Sequence, residues 1–253
     1  MPYVPAENIY SAYEMALIKQ LEIPKVEDYT FLKDGDVLSM LGINIEDAKL
    51  YVDCIVNEFP EFAEKMVNRQ YSDAILKFCS LGKAPLFYSK ALKSVLSANA
   101  VRYIYHALLA IKQIKTKFPE QKINILEIGA GFGGECFWIQ TIAPEVVQSY
   151  TIVDLPLVSK FQEKILAHLN IPCKFCTIPD RFSIDEAPLF VISSYAFSSL
   201  NKYYQDIYNK FFLSRSSGGF MVWNNWTGYY PFSFQYKTEK ARPSLNPNSF
   251  VMW

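Results

Sequence analysis

Apolar residues recur every three to four positions through much of the first 120 residues, a period that predicts helices. "ENIYSAYEMALIKQLEI", residues 7–23, follows it. "NIEDAKLYVDCIVNEF" repeats it over 44–59 behind Asn44, a suitable helix cap, and "SANAVRYIYHALLAIKQIKTKF" sustains it over 97–118 behind Ser97. Between these helices "SLGKAPLFYSK", residues 80–90, is rich in small and turn-forming residues and reads as a loop. From Gln121 the period changes. Short β-branched or aromatic runs at 123–128, 149–155, 173–178, 188–193 and 218–224 alternate with helical patterns at 134–143, 156–170 and 199–216. That order predicts an α/β fold: a doubly wound, mainly parallel sheet with its ligand crevice at the carboxyl ends of the strands. The chain divides accordingly into a helical N-terminal region, 1–120, and a sheet domain, 121–253. "PDRFSIDEA", residues 179–187, is too short for a crossover helix, and beyond 224 only "SFVMW" reads as a strand, so a sixth strand and its helix are expected to be shortened or lost.

The chemistry concentrates in "INILEIGAGFGGECFWIQ", residues 123–140, a strand, tight turn and helix start. Glycines belong where backbone must pass close to a ligand or take a positive φ. Two frames fit them. Gly129, Gly131 and Gly134 spell the dinucleotide fingerprint G-x-G-x-x-G, with Asp154 placed 20 residues further on for a ribose. Glu127, Gly129, Gly131 and Gly133 spell E-x-G-x-G-x-G, the loop of S-adenosylmethionine (SAM) methyltransferases. The glycines alone do not separate these frames. The acid favours the second frame without excluding the first: Glu127 suits the ammonium of SAM, whereas it would repel a pyrophosphate.

Composition narrows the partners. The 253 residues are 51% hydrophobic, ample for a packed core, and 25 basic residues balance 25 acidic ones. With no block of either sign there is no electrostatic footprint for nucleic acid or anionic membrane. The first residues, "MPYVPAENIYSAYEM", lack the pattern of a signal peptide, and no apolar run reaches the ~18 residues that cross a bilayer, so a cytoplasmic protein without membrane insertion is expected. Five cysteines at irregular spacing argue against a disulfide framework, and Cys173 and Cys176 read as strand residues rather than half a zinc site.

Three segments, "LEIGAGFGGE", "YTIVDLPLV" and "SSYAFSSL", together resemble class I SAM-dependent methyltransferases, and more narrowly the sugar O-methyltransferase family. The resemblance covers residues 124–224, with a fainter echo at "LSANAVRYIYHALLAI". It implies SAM as cofactor and a sugar hydroxyl, on a nucleotide sugar or a glycan residue, as acceptor. Gly129, Gly131 and Gly133 would admit the methionine and adenosine parts, Ala130 and Phe132 would form wall and backbone contacts, and Glu127 would receive the amino end. Asp154 would accept the ribose hydroxyls, Leu155 would flank the adenine, Asp180 would meet its amino group, and Ser194 would join them from the loop after strand four.

A sugar hydroxyl is a weak nucleophile, so a base or metal is expected. Tyr195 and His106 are the candidates for catalysis; His168 is explained by the dipole at a helix C-terminus. Ser199 stands where the family often carries an acid, which puts a base inherited from the family in question. Asp180, Asp185 and Glu186 are close in sequence, but a divalent metal is not expected. Asn224, Asn225 and Trp226 are suited to hydrogen-bond and stack a sugar, and Arg102 to meet a carboxylate. The helical region is expected to act as a lid, an acceptor-binding wall or a dimer surface. Two other readings stay open: a nicotinamide or flavin oxidoreductase using the same glycines, and a methyltransferase-like interaction module without turnover.

Overall fold

The computed structural model describes residues 9–177, 182, 186–226, 228–243 and 247–253. Helices α1 (Ile9–Leu21), α2 (Gly35–Leu41), α3 (Ile45–Glu58), α4 (Pro60–Val67) and α5 (Ser72–Cys79) come first, followed by the strands β1 (Leu86–Ser89) and β2 (Ser94–Ser97) and the long helix α6 (Ala98–Lys117). The expected caps are present: Asn44 Oδ1 accepts the Asp47 N–H at 2.8 Å and Ser97 Oγ accepts that of Ala100 at 3.2 Å. The segment 80–90, expected to be a loop, is instead partly strand. β1 and β2 form an antiparallel hairpin in which Leu86, Tyr88 and Val95 point outward while Ser89 and Leu96 are buried. That alternation, rather than the small residues before it, decides the local structure.

The sheet domain follows the expected order: β3 (Ile123–Ile128), α7 (Gly134–Ile142), β4 (Val147–Val153), α8 (Pro156–His168), β5 (Lys174–Cys176), β6 (Leu189–Ser194), α9 (Ala196–Ser199), α10 (Lys202–Phe211), β7 (Gly218–Asn224), β8 (Lys237–Lys240) and β9 (Asn248–Met252). Among the described residues seven strands run in the order β5-β4-β3-β6-β7-β9-β8, parallel from β5 to β7, with β9 antiparallel to both β7 and β8. The doubly wound, mainly parallel sheet is therefore present. A strand beyond β7 is shortened but not lost: β8 is four exposed residues, Lys-Thr-Glu-Lys, whose charges suit a solvent-facing edge. In place of a helix before it lies an aromatic stretch in which Tyr230, Phe232 and Phe234 pack on one another and on Trp253.

Strand parity assigns the two faces. Ile123 and Ile125, Phe220 and Val222 join one apolar cluster with Leu17, Tyr51, Ile104 and Phe161 of the helices. Leu126 and Ile128, Met221 and Trp223 join another with Phe197, Phe212 and Tyr230. Because successive side chains alternate, Glu127 falls on the Ile125 face, toward α6 and α7. α6 packs on α7 and β7, and α1 on α8, so helices from the first 120 residues cover the sheet beside the ends of its strands. Among the described residues no helix is long and apolar enough to cross a membrane.

Candidate functional site

The strand order reverses between β3 and β6, the point where a doubly wound sheet leaves a crevice. Two loops meet there. After β3 the chain passes through Gly129, Gly131 and Gly133 with φ of +70°, +60° and +87°, a region L side chains rarely adopt. The Gly129 N–H donates to Val153 O at 3.0 Å, and a Cβ at Gly129 would run into that of Ala196 from the loop after β6. Ser193 fastens the same junction, its Oγ donating to Ile128 O at 2.9 Å and accepting the Phe197 N–H at 3.0 Å.

Above the junction lies a cavity of about 490 Å³. Among the expected residues, Glu127, Gly129, Ala130, Gly131, Asp154, Ser194, Tyr195, His106, Asn224 and Trp226 line it, and so does Arg102. The helical region supplies the opposite wall through Tyr13, the turn Ser39–Ile43 and Tyr51. Four expected residues sit elsewhere. The Phe132 ring is no wall: it is buried against Phe31, Phe78 and Tyr103 at 5.1, 5.4 and 5.2 Å, because the segment before α2, together with α5 and α6, brings an aromatic cluster behind the loop. Gly133 backs onto Leu166 of α8, and Leu155 packs on the apolar cluster. Asn225 donates to Ser249 Oγ at 3.0 Å and accepts from Tyr229, tying β7 to β9 instead of facing the cavity. Asp180 and Asp185 lie outside the described residues, and among the described ones no cluster of three His, Cys, Asp or Glu could hold a metal.

The two acids of the expected frame differ in their partners. Asp154 Oδ1 accepts the Leu155 N–H at 2.9 Å and Oδ2 accepts Gln162 Nε2 at 2.7 Å; burial nevertheless raises its carboxyl to about 6. It does not cap α8 with its side chain. Gln162 also donates to Gly131 O at 3.0 Å, so one amide clamps the acid to the glycine loop. Glu127 is 1% exposed; Tyr150 OH donates to its Oε2 at 2.7 Å, while burial and the neighbouring Glu135 push its carboxyl upward.

Glu135, in the first turn of α7, is a further cavity residue, and both of its buried carboxylate oxygens lack a hydrogen-bond partner. His106 Nδ1 stands 3.5 Å from Glu135 Oε1 and 3.2 Å from Ser194 Oγ, and its buried Nε2 has no partner. Burial lowers the His106 pKa, which keeps the imidazole neutral. Tyr195 takes a left-handed conformation, φ +69°, at the start of α9, and its hydroxyl lies 3.5 Å from that of Tyr51. A non-glycine residue there stores about 1–3 kcal/mol of strain, retained by the Tyr195 N–H bond to Val222 O at 2.9 Å. Ser199 donates to Tyr195 O at 2.9 Å, supporting this turn rather than presenting a base. His168 lies away from the cavity, beside Glu27 at 3.7 Å.

Sequence reasoning missed Tyr13, Tyr51, Gln162 and Glu135. Only Glu135 carried a local signal, the acid closing "GAGFGGE"; the others are brought in by helix packing. The arrangement offers a ribose-type acceptor in Asp154, buried acids on the α6 side, and hydroxyls with an imidazole at the loop after β6.

No protein-family model and no curated protein matches the chain. Among solved structures it is similar to the plantazolicin methyltransferase BpumL in complex with SAH, at 19% identity and TM-score 0.37 over 49% of this chain and 47% of that one. It is similar also to SAM-bound CalS10, an amino pentose methyltransferase from Micromonospora echinaspora, at 15% identity and TM-score 0.38 over 55% and 58%. The rRNA methyltransferase aviRa from Streptomyces viridochromogenes matches at 10% identity and TM-score 0.42 over 59% and 83%. The chain spans about half the length of BpumL. Likenesses of this size say nothing of substrate or activity.

Proposed function

We propose that this chain is a SAM-dependent O-methyltransferase acting on a sugar hydroxyl, on a nucleotide sugar or a glycan residue. The observation that carries the reading is the convergence of the positive-φ glycine turn, Glu127 and Asp154 on one cavity at the switch point. The residues fit the donor chemically. Asp154 has lone pairs left on both oxygens for ribose hydroxyls, the loop is open to close backbone approach, and Glu127, held by Tyr150 at the cavity, can accept from an ammonium. When bound, SAM supplies an electrophilic methyl group for in-line displacement by the acceptor oxygen.

The chain's own contribution is positioning and proton handling. Tyr195, Ser194 and His106 stand at the loop after β6, where Tyr195 orients the acceptor hydroxyl and neutral His106 is the group able to take a proton. Trp226, 75% exposed at the cavity, offers a flat ring to the C–H face of a sugar, and Asn224 a polar side chain beside it. The helical region closes the opposite wall, which supports a role in acceptor binding.

Calorimetric titration with S-adenosylhomocysteine beside NADH tests the reading: micromolar binding of the first alone is expected, with weaker binding in Asp154→Ala. Binding of NADH alone would overturn it in favour of an oxidoreductase. A second reading, a donor-binding module without turnover, is favoured by Ser199, which has no acid function and is spent on the Tyr195 turn. Donor binding with no methyl transfer to any of a panel of nucleotide sugars and glycans would select it.

A further inference from the structure

The even charge of the whole chain conceals an uneven distribution: residues 74–119 contain seven Lys and one Arg but no Asp or Glu. The hairpin of β1 and β2 lies in this stretch, and its outward face is apolar. Tyr88 stands opposite Val95, with Leu86 two residues along, and the three are 60%, 51% and 51% exposed. The hairpin that carries them is firmly anchored. Leu92 of the turn and Leu96 of β2 are buried, Ser89 Oγ accepts the Leu92 N–H at 3.2 Å, and the Ser97 N–H donates to Cys79 Sγ of α5 at 3.3 Å. Exposed lysines flank the apolar face, Lys83 ahead of β1 and Lys90 and Lys93 at the turn. α5, which packs on β2, adds exposed Leu76 and Lys77. No Asp or Glu of the described residues pairs with any of these four lysines.

We infer that this hairpin docks the protein on an anionic lipid surface. Apolar side chains grouped on one exposed face mark a contact surface, where scattered ones do not. The chemistry around them selects the occupant. Unpaired lysines favour a negative partner, each by about fivefold near an anionic bilayer. Tyr88 joins an apolar ring to a hydroxyl, which suits the headgroup level, and lysine stems lie along apolar surface while their ammonium groups reach phosphate. A two-fold contact between two copies through this face would set the lysines of one hairpin against those of the other, so a second copy fits less well. The side chains protrude from a hairpin instead of lining a groove; a bilayer, which needs no complementary pocket, suits that shape better than a folded acidic partner. The contact is peripheral, since among the described residues no helix is long and apolar enough to cross a membrane. β2 leads directly into α6, which carries Arg102 and His106 to the cavity, so the docking element adjoins the helix that bears the site. This inference is independent of the donor reading above.

Co-sedimentation of the full chain with vesicles tests it, comparing phosphatidylcholine alone with equal parts of phosphatidylcholine and phosphatidylglycerol. The affinity for the mixed vesicles is expected to exceed that for the neutral ones by at least about tenfold, and raising salt from about 0.1 to about 0.5 M should remove most of the difference. Lys90→Glu combined with Lys93→Glu is expected to lower the affinity by about twentyfold or more. Leu86→Ser combined with Tyr88→Ser should lower it by about tenfold, from lost apolar burial. All four positions are exposed, so both double variants should keep the circular dichroism and Tm of wild type, and each decides the matter without the other. Equal binding to both vesicle types, no binding to either, or binding that both double variants retain would overturn the inference. Binding of polyglutamate without binding of vesicles would overturn it in favour of an acidic protein partner. A dimer in sedimentation equilibrium that Leu86→Ser with Tyr88→Ser dissolves, with no vesicle binding, would overturn it in favour of a second copy.

Discussion

Asp154→Asn is expected to make the unliganded protein more stable at neutral pH while weakening its hold on the donor. Burial raises the Asp154 carboxyl from its ordinary 3.8 to about 6 despite hydrogen bonds from Leu155 and Gln162. At about 1.4 kcal/mol for each pH unit, the folded state disfavours the charged form by about 3 kcal/mol. Because the native carboxyl holds its proton more tightly than the unfolded one, the group costs nothing below pH 3.8. Stability falls as pH rises through the interval from 3.8 to about 6, and the loss is complete above it. Asparagine is neutral throughout. It keeps an oxygen for the Leu155 N–H but turns an NH₂ toward Gln162 Nε2, losing one bond of about 1 kcal/mol. The net expectation above pH 7 is a gain of about 2 kcal/mol, or roughly 4–8 °C in Tm for a chain of this size. Below pH 4 the variant should instead be about 1 kcal/mol less stable. Thermal unfolding followed by circular dichroism from pH 4 to 8 measures the difference, and S-adenosylhomocysteine should raise the variant's Tm less than wild type's. A variant less stable at pH 8, or an offset that does not vary with pH, would refute the reasoning.

Gly129→Ala should lose at least about 3 kcal/mol, since the left-handed backbone costs about 1–2 kcal/mol for an L residue and the new methyl meets Ala196; an unchanged urea midpoint would contradict this. Trp226→Ala, at an exposed ring, should alter stability by no more than about 0.5 kcal/mol and leave donor affinity intact. Its effect is expected as a roughly tenfold rise in acceptor KM, from lost stacking; steady-state kinetics with the identified acceptor would show it, and an unchanged KM would place the acceptor elsewhere.

Much of the fold was legible because its signals are local. A change of period at Gln121, β-branched runs between helical ones, and the caps Asn44 and Ser97 are properties of neighbouring residues, and the corresponding elements are present. The hairpin at 86–97 was hidden because its strands are four residues each, too short for alternation to stand out beside the glycine and proline that precede them. β8 was hidden for a related reason: an edge strand exposed on every residue carries no apolar pattern.

The sequence by itself determined the glycine turn, the acids Glu127 and Asp154 at the ends of their strands, and, through strand parity, the face to which Glu127 points. Those features follow from backbone sterics and a two-residue repeat, which act over a few residues. Only the tertiary structure decided that Phe132 turns into an aromatic cluster, that Gln162 clamps Asp154 to Gly131, and that Glu135 meets His106 across α6 and α7. These pairings join residues 29 or more positions apart, except for the Gln162–Asp154 contact across one helix start. They are set by how helices pack on the sheet, and burial, which leaves both Glu135 oxygens without a hydrogen-bond partner, exists only once that packing has excluded water.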